Sequence, residues 1–350
     1  MLGFDRSAAR YTFTAAAVLI ALWVIYQIRL TLFVFILAVL FAYLLSPLVN
    51  ALDRALPSRT RTPALALAYV IFICIVGAAG YEIGAKVVEQ ATVLAKDLPA
   101  QIEKWKSATN GSNGVIDRYK IQIVQYIQNE VGRKTNDIVS AIPAAGAKFL
   151  AIASNLIYVV IIPILAFFFL KNGHEIRDQI VSFVEDSPRR KLLDEVFADL
   201  DLLLAKYMRA LLILSLATLV FYSGFFFIAG VPYAILLGTL AAVLEIIPML
   251  GPLVAVVIIL LVALLTGSHA LAVLIFILCY RMFQDYVLSP HLMGKGVELH
   301  PLIVLFGVFA GAELAGIPGT FLSVPILALV RILYLRIRKA RIATTPLAET

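Results

Sequence analysis

Apolar runs of about twenty residues dominate this chain, and each is long enough to cross the hydrocarbon of a bilayer as a helix. Tyr11 to Ile28, Leu30 to Val49, Pro63 to Ala85, Phe149 to Leu170, Leu211 to Gly230 and Ala270 to Val287 all qualify. Two more, Ala234 to Thr266 and Leu302 to Tyr334, are too long for one comfortable span and carry helix breakers in the middle. The chain is 62% apolar and only 15% charged, far from the make-up of a soluble domain. These features predict an all-α integral membrane protein, a polytopic helical bundle. No small-residue cleavage site follows the first run, which therefore reads as a retained first helix rather than a signal peptide.

Basic residues set the expected orientation, because short loops rich in Lys and Arg stay in the cytoplasm. Arg6 and Arg10 precede the first span, Arg54, Arg59 and Arg61 follow the second, and Arg336, Arg338, Lys339 and Arg341 fill the tail. Both termini are thus expected inside. Six regions follow: a three-helix membrane region over 1–85, an extracytoplasmic segment over 86–148, a transmembrane helix over 149–170, a cytoplasmic helical arm over 171–210, a core over 211–335 and a basic cytoplasmic tail over 336–350. In the external segment Ile116, Tyr119, Ile123, Ile127 and Val131 recur at helical spacing, which predicts two amphipathic helices around TNGSNG at 109–114. In the arm, Ser187 followed by Pro188 predicts a capped helix start.

The net charge of +7 raises nucleic acid as a partner, yet the basic residues sit beside span ends, where lipid headgroups are the better partner. Cys74 and Cys279 lie inside spans and read as small packing residues rather than as a disulfide or metal pair. His174, His269 and His291 have no metal-ligand spacing. With no phosphate loop, nucleophile elbow or haem signature, the sequence offers no catalytic residue, no metal site and no cofactor, and an enzyme is disfavoured.

The two broken runs hold the candidate site. Between Val231 and Gly267 the one charged residue is Glu245, within EIIPMLGP at 245–252. Pro248 removes a helix hydrogen bond, Gly251 permits a turn, and Pro252 suits the first turn of a new helix. Residues 234–266 therefore read as two half-helices meeting at a tip. Residues 302–334 repeat the plan around ELAGIPGTFLSVP, which starts at Glu313. Three residues after each glutamate comes a breaker, Pro248 or Gly316, and six after each comes a glycine, Gly251 or Gly319. Each hairpin follows one full helix, and the two preceding helices are expected to run in opposite directions, so the units form a candidate inverted repeat of the kind found in secondary transporters. Broken backbone survives in a bilayer only where protein or a watery cavity satisfies it.

Glu245 and Glu313 are the candidate carboxylates of a substrate or ion path. One reading makes them proton acceptors or cation ligands; the other makes each a structural group held by half-helix amides. After the Ala270 run, Arg281 and Asp285 stand four apart on one helix face and are expected to pair. His300, before Pro301, reads as a turn or cap residue, with titration near neutral pH as the second reading.

The blocks 230–257 and 284–325, together with DSPRRKLLDEV at 186–196, resemble the AI-2E transporter family, the autoinducer-2 exporter-like permeases. The likeness rests on Pro248, Gly251, Pro252, Pro290, Gly294, Pro301, Gly311, Gly316, Gly319 and Pro325 standing in register together. It implies a secondary transporter of a bacterial inner membrane that assembles as a homo-oligomer such as a pentamer and moves its re-entrant elements in an elevator-like shift. It also implies a small solute of the autoinducer-2 type as cargo or, in other branches, sodium or lithium exchanged for protons. Coupling would be to H+ or Na+. Gln284 and Asp285 are expected to support the second hairpin, and Met249 stands where relatives carry an aromatic residue or asparagine. A non-transporting membrane scaffold or regulator is the competing class.

Overall fold

The structure, a computed structural model, describes residues 6–56, 60–109, 156–267, 270–293 and 299–344. Among these the chain is helical throughout: α1 (Arg6–Gln27), α2 (Arg29–Ala55), α3 (Thr62–Thr109), α4 (Leu156–Ser182), α5 (Ser187–Ile228), α6 (Ala234–Leu244), α7 (Leu250–Leu265), α8 (Ala270–Phe283), a π-helical stretch (Gln284–Leu288), α9 (Ser289–Met293) and α10 (Pro301–Thr344). Within lipid a helix satisfies its own backbone, which is why a chain this apolar adopts nothing else. Six of the described helices are long and apolar enough to cross a membrane. Their outward faces carry large apolar side chains such as Ile73, Leu216, Val220 and Phe306, as lipid contact requires. The protein is an all-α polytopic membrane protein.

Three apolar cores organise it. Small residues let α2, α3 and α4 approach closely, with Ala42, Ala68 and Ala166 packed among Leu45, Val49, Leu65 and Leu170. Tyr69 on α3 also donates to the Pro163 carbonyl of α4 at 2.8 Å. A second core joins α5, α6, α7 and α8 through Phe226, Leu237, Ala241, Ala255, Ile259 and Ile277. The third joins α2, α5 and α10 through Leu40, Leu204, Tyr207, Met208, Leu211 and Leu322. Helix α5 belongs to two of the three and is the frame on which both broken runs are mounted.

Three helix boundaries differ from expectation. The first two spans, read as separate runs, are joined by a bend at Ile28: Ile28 N–H bonds Val24 O and Leu32 N–H bonds Ile28 O, so the helical ladder carries on from α1 into α2. Residue 85 is not a helix end, since α3 runs unbroken to Thr109. At about 1.5 Å per residue α3 is ~70 Å long, more than twice the thickness of a bilayer core. Its far part is tied to the start of α6, where Gln90 Oε1 accepts from Leu236 N–H at 2.9 Å and Asp97 accepts from the Tyr233 hydroxyl at 2.9 Å. The Ser187 cap is displaced by one position, because Asp186 is the capping residue and makes no side-chain cap bond; Pro188 still occupies the first turn. Helix α10 continues past 334 to Thr344. Of the two amphipathic helices expected within 86–148, the part before 109–114 is the far end of α3; the helix expected after it, His269 and Gly294 lie outside the described residues.

The charged half of α5 is stitched to its neighbours. Arg336 on α10 grips two carboxylates one turn apart, Glu195 at 2.5 Å and Asp199 at 2.6 Å. Arg177 on α4 pairs with Asp194 at 2.7 Å and lies 3.6 Å from Asp201, which also accepts from Tyr43 of α2. These groups are partly exposed, so each pair is screened. Arg336→Ala is expected to destabilise the fold by on the order of 1 kcal/mol, read as a lower thermal midpoint in detergent. The difference should shrink in 1 M salt, where the screening length is about 3 Å.

Cys74 and Cys279 are free and lie on exposed helix faces instead of packing in a core.

Candidate functional site

The first break is a sequence of tight turns held by local backbone hydrogen bonds. At the end of α6, Ile246 N–H reaches Val243 O at 3.2 Å and Ile247 N–H reaches Leu244 O at 2.9 Å. Pro248 has no N–H to continue the ladder. Its carbonyl accepts from Leu250 N–H at 2.7 Å, while Met249 takes φ 63 and ψ −50. That is a γ-turn of the rare, strained kind, held by a non-glycine residue. Gly251 N–H then bonds Ile247 O at 3.0 Å. A side chain at Gly251 would overlap the Leu244 carbonyl oxygen, so only glycine lets α7 start this close to the end of α6. Pro252 sits in the first turn of α7, where its missing N–H costs nothing.

Glu245 stands at the head of this turn with a side chain only 9% exposed. Its Oε1 accepts from Gln284 Nε2 at 2.5 Å, and Arg281 Nη1 lies 3.4 Å away. Arg281 also donates to Gln284 Oε1 at 3.0 Å and to Asp285 Oδ1 at 3.3 Å, which is the pair that the spacing predicts. The amide is thus the close partner of the carboxylate and the guanidinium balances its charge. Gln284 is 1% exposed, among the most buried polar side chains described. The expected alternative, a carboxylate held by half-helix amides, is not what Glu245 adopts.

Proline shapes the partner as well. Pro290 cannot donate to the Tyr286 carbonyl one turn back, and the helix widens there: Ser289 N–H bonds Gln284 O five residues earlier. Such π-helical stretches recur at functional sites. Here it begins at Gln284, the residue that holds Glu245.

The second break lies within α10 at Ala315 (φ −145, ψ 16) and Gly316 (φ 63, ψ −145). The last pair is comfortable only for glycine. The arms 301–314 and 317–344 fold against each other: Gly311 faces the Gly319 carbonyl, Gly319 faces the Gly311 carbonyl, and Gly307 faces Leu327 and Ser323. Gly251 and Gly319, matched in the sequence, therefore do the same job of admitting a carbonyl from the end of the preceding arm. Glu313 is different from Glu245. It is exposed, makes no hydrogen bond or ion pair among the described residues, and does not join the Glu245 network. His300 is a cap, its Nδ1 accepting from Leu302 N–H at 3.3 Å, and Pro301 opens α10. No group of three or more His, Cys, Asp or Glu residues able to hold a metal occurs among the described residues.

Sequence reasoning missed Gly307, although Gly307 and Gly311 show the four-residue spacing of small residues at close helix crossings. It also missed Thr218 and Tyr280, whose hydroxyls meet 3.0 Å apart beside the site and which no motif marks.

A carboxylate inside a membrane bundle, charge-balanced from a neighbouring helix, is the kind of group that marks solute, ion or proton paths in membrane proteins. Residues 13–339 match the family described as AI-2E family transporter. The chain is 27% identical over 321 residues to YueF of Bacillus subtilis (strain 168), named as a candidate transport protein, covering 87% of this chain and 84% of that one. It is 26% identical over 308 residues to YrrI of the same organism, named likewise, covering 87% and 86%. A candidate transport protein of Mycobacterium tuberculosis, MT0215, is 26% identical over 329 residues, covering 92% and 87%. This membrane protein belongs to the AI-2E transporter family.

Proposed function

We propose that the chain is a secondary transporter of a bacterial inner membrane that exports a small hydroxylated solute of the autoinducer-2 type. The carrying observation is the Glu245 site: a nearly buried carboxylate at the break of the first hairpin, contacted by Gln284 at 2.5 Å and Arg281 at 3.4 Å from another helix. One acceptor and two donors at a place where the backbone turns back is a set of partners suited to hydroxyl groups. A bare cation at Glu245 would have to displace Arg281 first, which weighs against sodium as the cargo at this carboxylate.

Both hairpins mount on α5 in a way that supports a shared path. The end of the first is fixed by Ser215, whose hydroxyl donates to the Ala242 carbonyl at 2.7 Å. The second arm of α10 runs antiparallel to α5, with Arg336 beside Asp199 and Leu322 in the core of Leu211. Seven residues from Leu322 to Ala315, ~10 Å at about 1.5 Å per residue, bring the second break toward the same level of α5. In this reading the charged half of α5 and the carboxyl end face the cytoplasm, on the evidence of the basic residues around 54–61 and 336–341. Assembly as a homo-oligomer and coupling to H+ or Na+ belong to the same proposal.

A sodium or lithium for proton antiporter is the second reading, and the exposed carboxylates of Asp285 and Glu313 favour it. Purified protein in vesicles loaded with a panel of small signals and sugars, followed by release of each, tests the first reading; pH-sensitive dye in empty vesicles given sodium pulses tests the second. Release of a hydroxylated solute above protein-free vesicles is expected. Sodium-driven proton movement with no solute release would replace the exporter by the antiporter.

A further inference from the structure

Four polar side chains are almost fully buried among the described residues: Thr218, Gln284, Thr320 and Ser323. Thr320 and Ser323 donate to carbonyls of their own helix, Ile317 O and Thr320 O. Gln284 is accounted for by Glu245 and Arg281. Thr218 is the exception. A threonine within a helix ordinarily returns its hydroxyl to the carbonyl four residues back, as Thr14, Thr92 and Thr266 do in this chain. Thr218 of α5 instead shares a hydrogen bond of 3.0 Å with the Tyr280 hydroxyl of α8, 62 residues away.

Tyr280 precedes Arg281 by one residue and Gln284 by four, so Tyr280 and Gln284 lie one above the other on the inward face of α8. Its ring is enclosed by Phe221, Tyr222, Phe276 and Phe283, with centroids between 5.1 and 6.5 Å. One turn further the helix passes into the π-helical stretch that starts at Gln284. Tyr280, one turn before Gln284, is hydrogen-bonded to the frame helix α5, and that bond to Thr218 sets its height and rotation.

We infer that Thr218 and Tyr280 are a positioning pair: their hydroxyls hold the Gln284 amide against Glu245. They act through Gln284 and do not touch the solute. The inference rests on the reading of Glu245 as part of the transport path.

A double-mutant cycle in vesicles tests it, with T218V, T218S, Y280F and Q284A, each first shown to run as a folded peak in detergent. Removing one neutral hydrogen bond that positions a contact is expected to slow release about threefold to tenfold in T218V. T218S keeps the hydroxyl and restores the rate. In the Q284A background T218V should cost nothing further, because the group it positions is gone. A wild-type rate in T218V, or the same loss in both backgrounds, overturns the inference. If T218V does not fold, Y280F carries the same cycle, since it leaves Thr218 free to bond the Leu214 carbonyl. Hydrogen exchange over residues 281–289 reads the positioning without transport: faster exchange in T218V, wild-type exchange in T218S. Wild-type protein that releases no solute counts against the proposed function, while the exchange rates still decide on the pair, and unchanged exchange overturns it.

Discussion

Exchanging Glu245 for glutamine lowers solute release from loaded vesicles at least about tenfold while the protein stays folded. The substitution keeps the side-chain volume and an oxygen that can still accept from Gln284, so the turn at 245–249 retains its shape. What it removes is charge. Two donors converge on Glu245 Oε1, the Gln284 amide at 2.5 Å and the Arg281 guanidinium at 3.4 Å. Hydrogen bonds to an ionised acceptor are worth about 1.5–3 kcal/mol against about 1 for neutral pairs. A difference of about 1.4 kcal/mol is a factor of ten in rate, so losing both charge-assisted contacts predicts a tenfold to hundredfold effect if a solute makes the same contacts on its way through. The new amide also leaves Arg281 balanced only by Asp285, an exposed partner one turn along α8. Initial rates of release with E245Q at equal protein per vesicle decide the matter. Undiminished release would take Glu245 out of the mechanism and leave it as the group that ties the turn to α8.

How far such a site is legible beforehand depends on the range of the interaction. Both breaks are visible in the sequence because proline and glycine act through their own backbone: Pro248 lacks a donor, and Gly316 adopts φ 63 and ψ −145 in a place no other residue takes easily. The Arg281 and Asp285 pair is equally local, one helical turn apart. The contact that gives the site its character is not. Glu245 meets Gln284 across 39 residues, and the register of α6 against α8 is set by packing of Leu237, Ala241 and Ile277 that no single-residue property records. The same holds for Arg336 with Glu195 and Asp199, where charge complementarity is plain only after α10 lies beside α5. The bend at Ile28 leaves no mark for the opposite reason: Gln27, Ile28 and Arg29 contain no breaker, and the helical ladder runs through the polar pair that separates the two apolar runs. Spatial proximity also separates the two glutamates, which the repeat pattern makes equivalent. Glu245 is held and nearly buried, Glu313 is exposed and has no partner among the described residues, and the equivalence survives in Gly251 and Gly319.

That glycine equivalence predicts a change of sign. In an uninterrupted helix, replacing glycine by alanine stabilises by about 1 kcal/mol, because alanine gives up less backbone freedom on folding. Were residues 301–344 one straight helix, Gly319→Ala would follow that rule. In the hairpin the added methyl overlaps the Gly311 carbonyl and approaches Ala315 Cβ, and a backbone carbonyl, unlike the end of a flexible side chain, can yield only if an arm shifts. The expected cost is roughly 3 kcal/mol, at the upper end of the overpacking range, read as a lower thermal midpoint and a larger aggregated fraction in detergent. Two companions calibrate it. Gly316→Ala meets open space but is forced into a backbone conformation that L residues avoid, costing roughly 1–3 kcal/mol. Gly307→Ala meets the Cδ1 end of Leu327, which can rotate aside, and should cost about 1 kcal/mol or less. The order Gly319, Gly316, Gly307 from most to least damaging is the signature of two arms pressed carbonyl to glycine at their turn. Stabilisation by Gly319→Ala would mean that the arms are not folded together, and with that the second hairpin would cease to be a counterpart of the first.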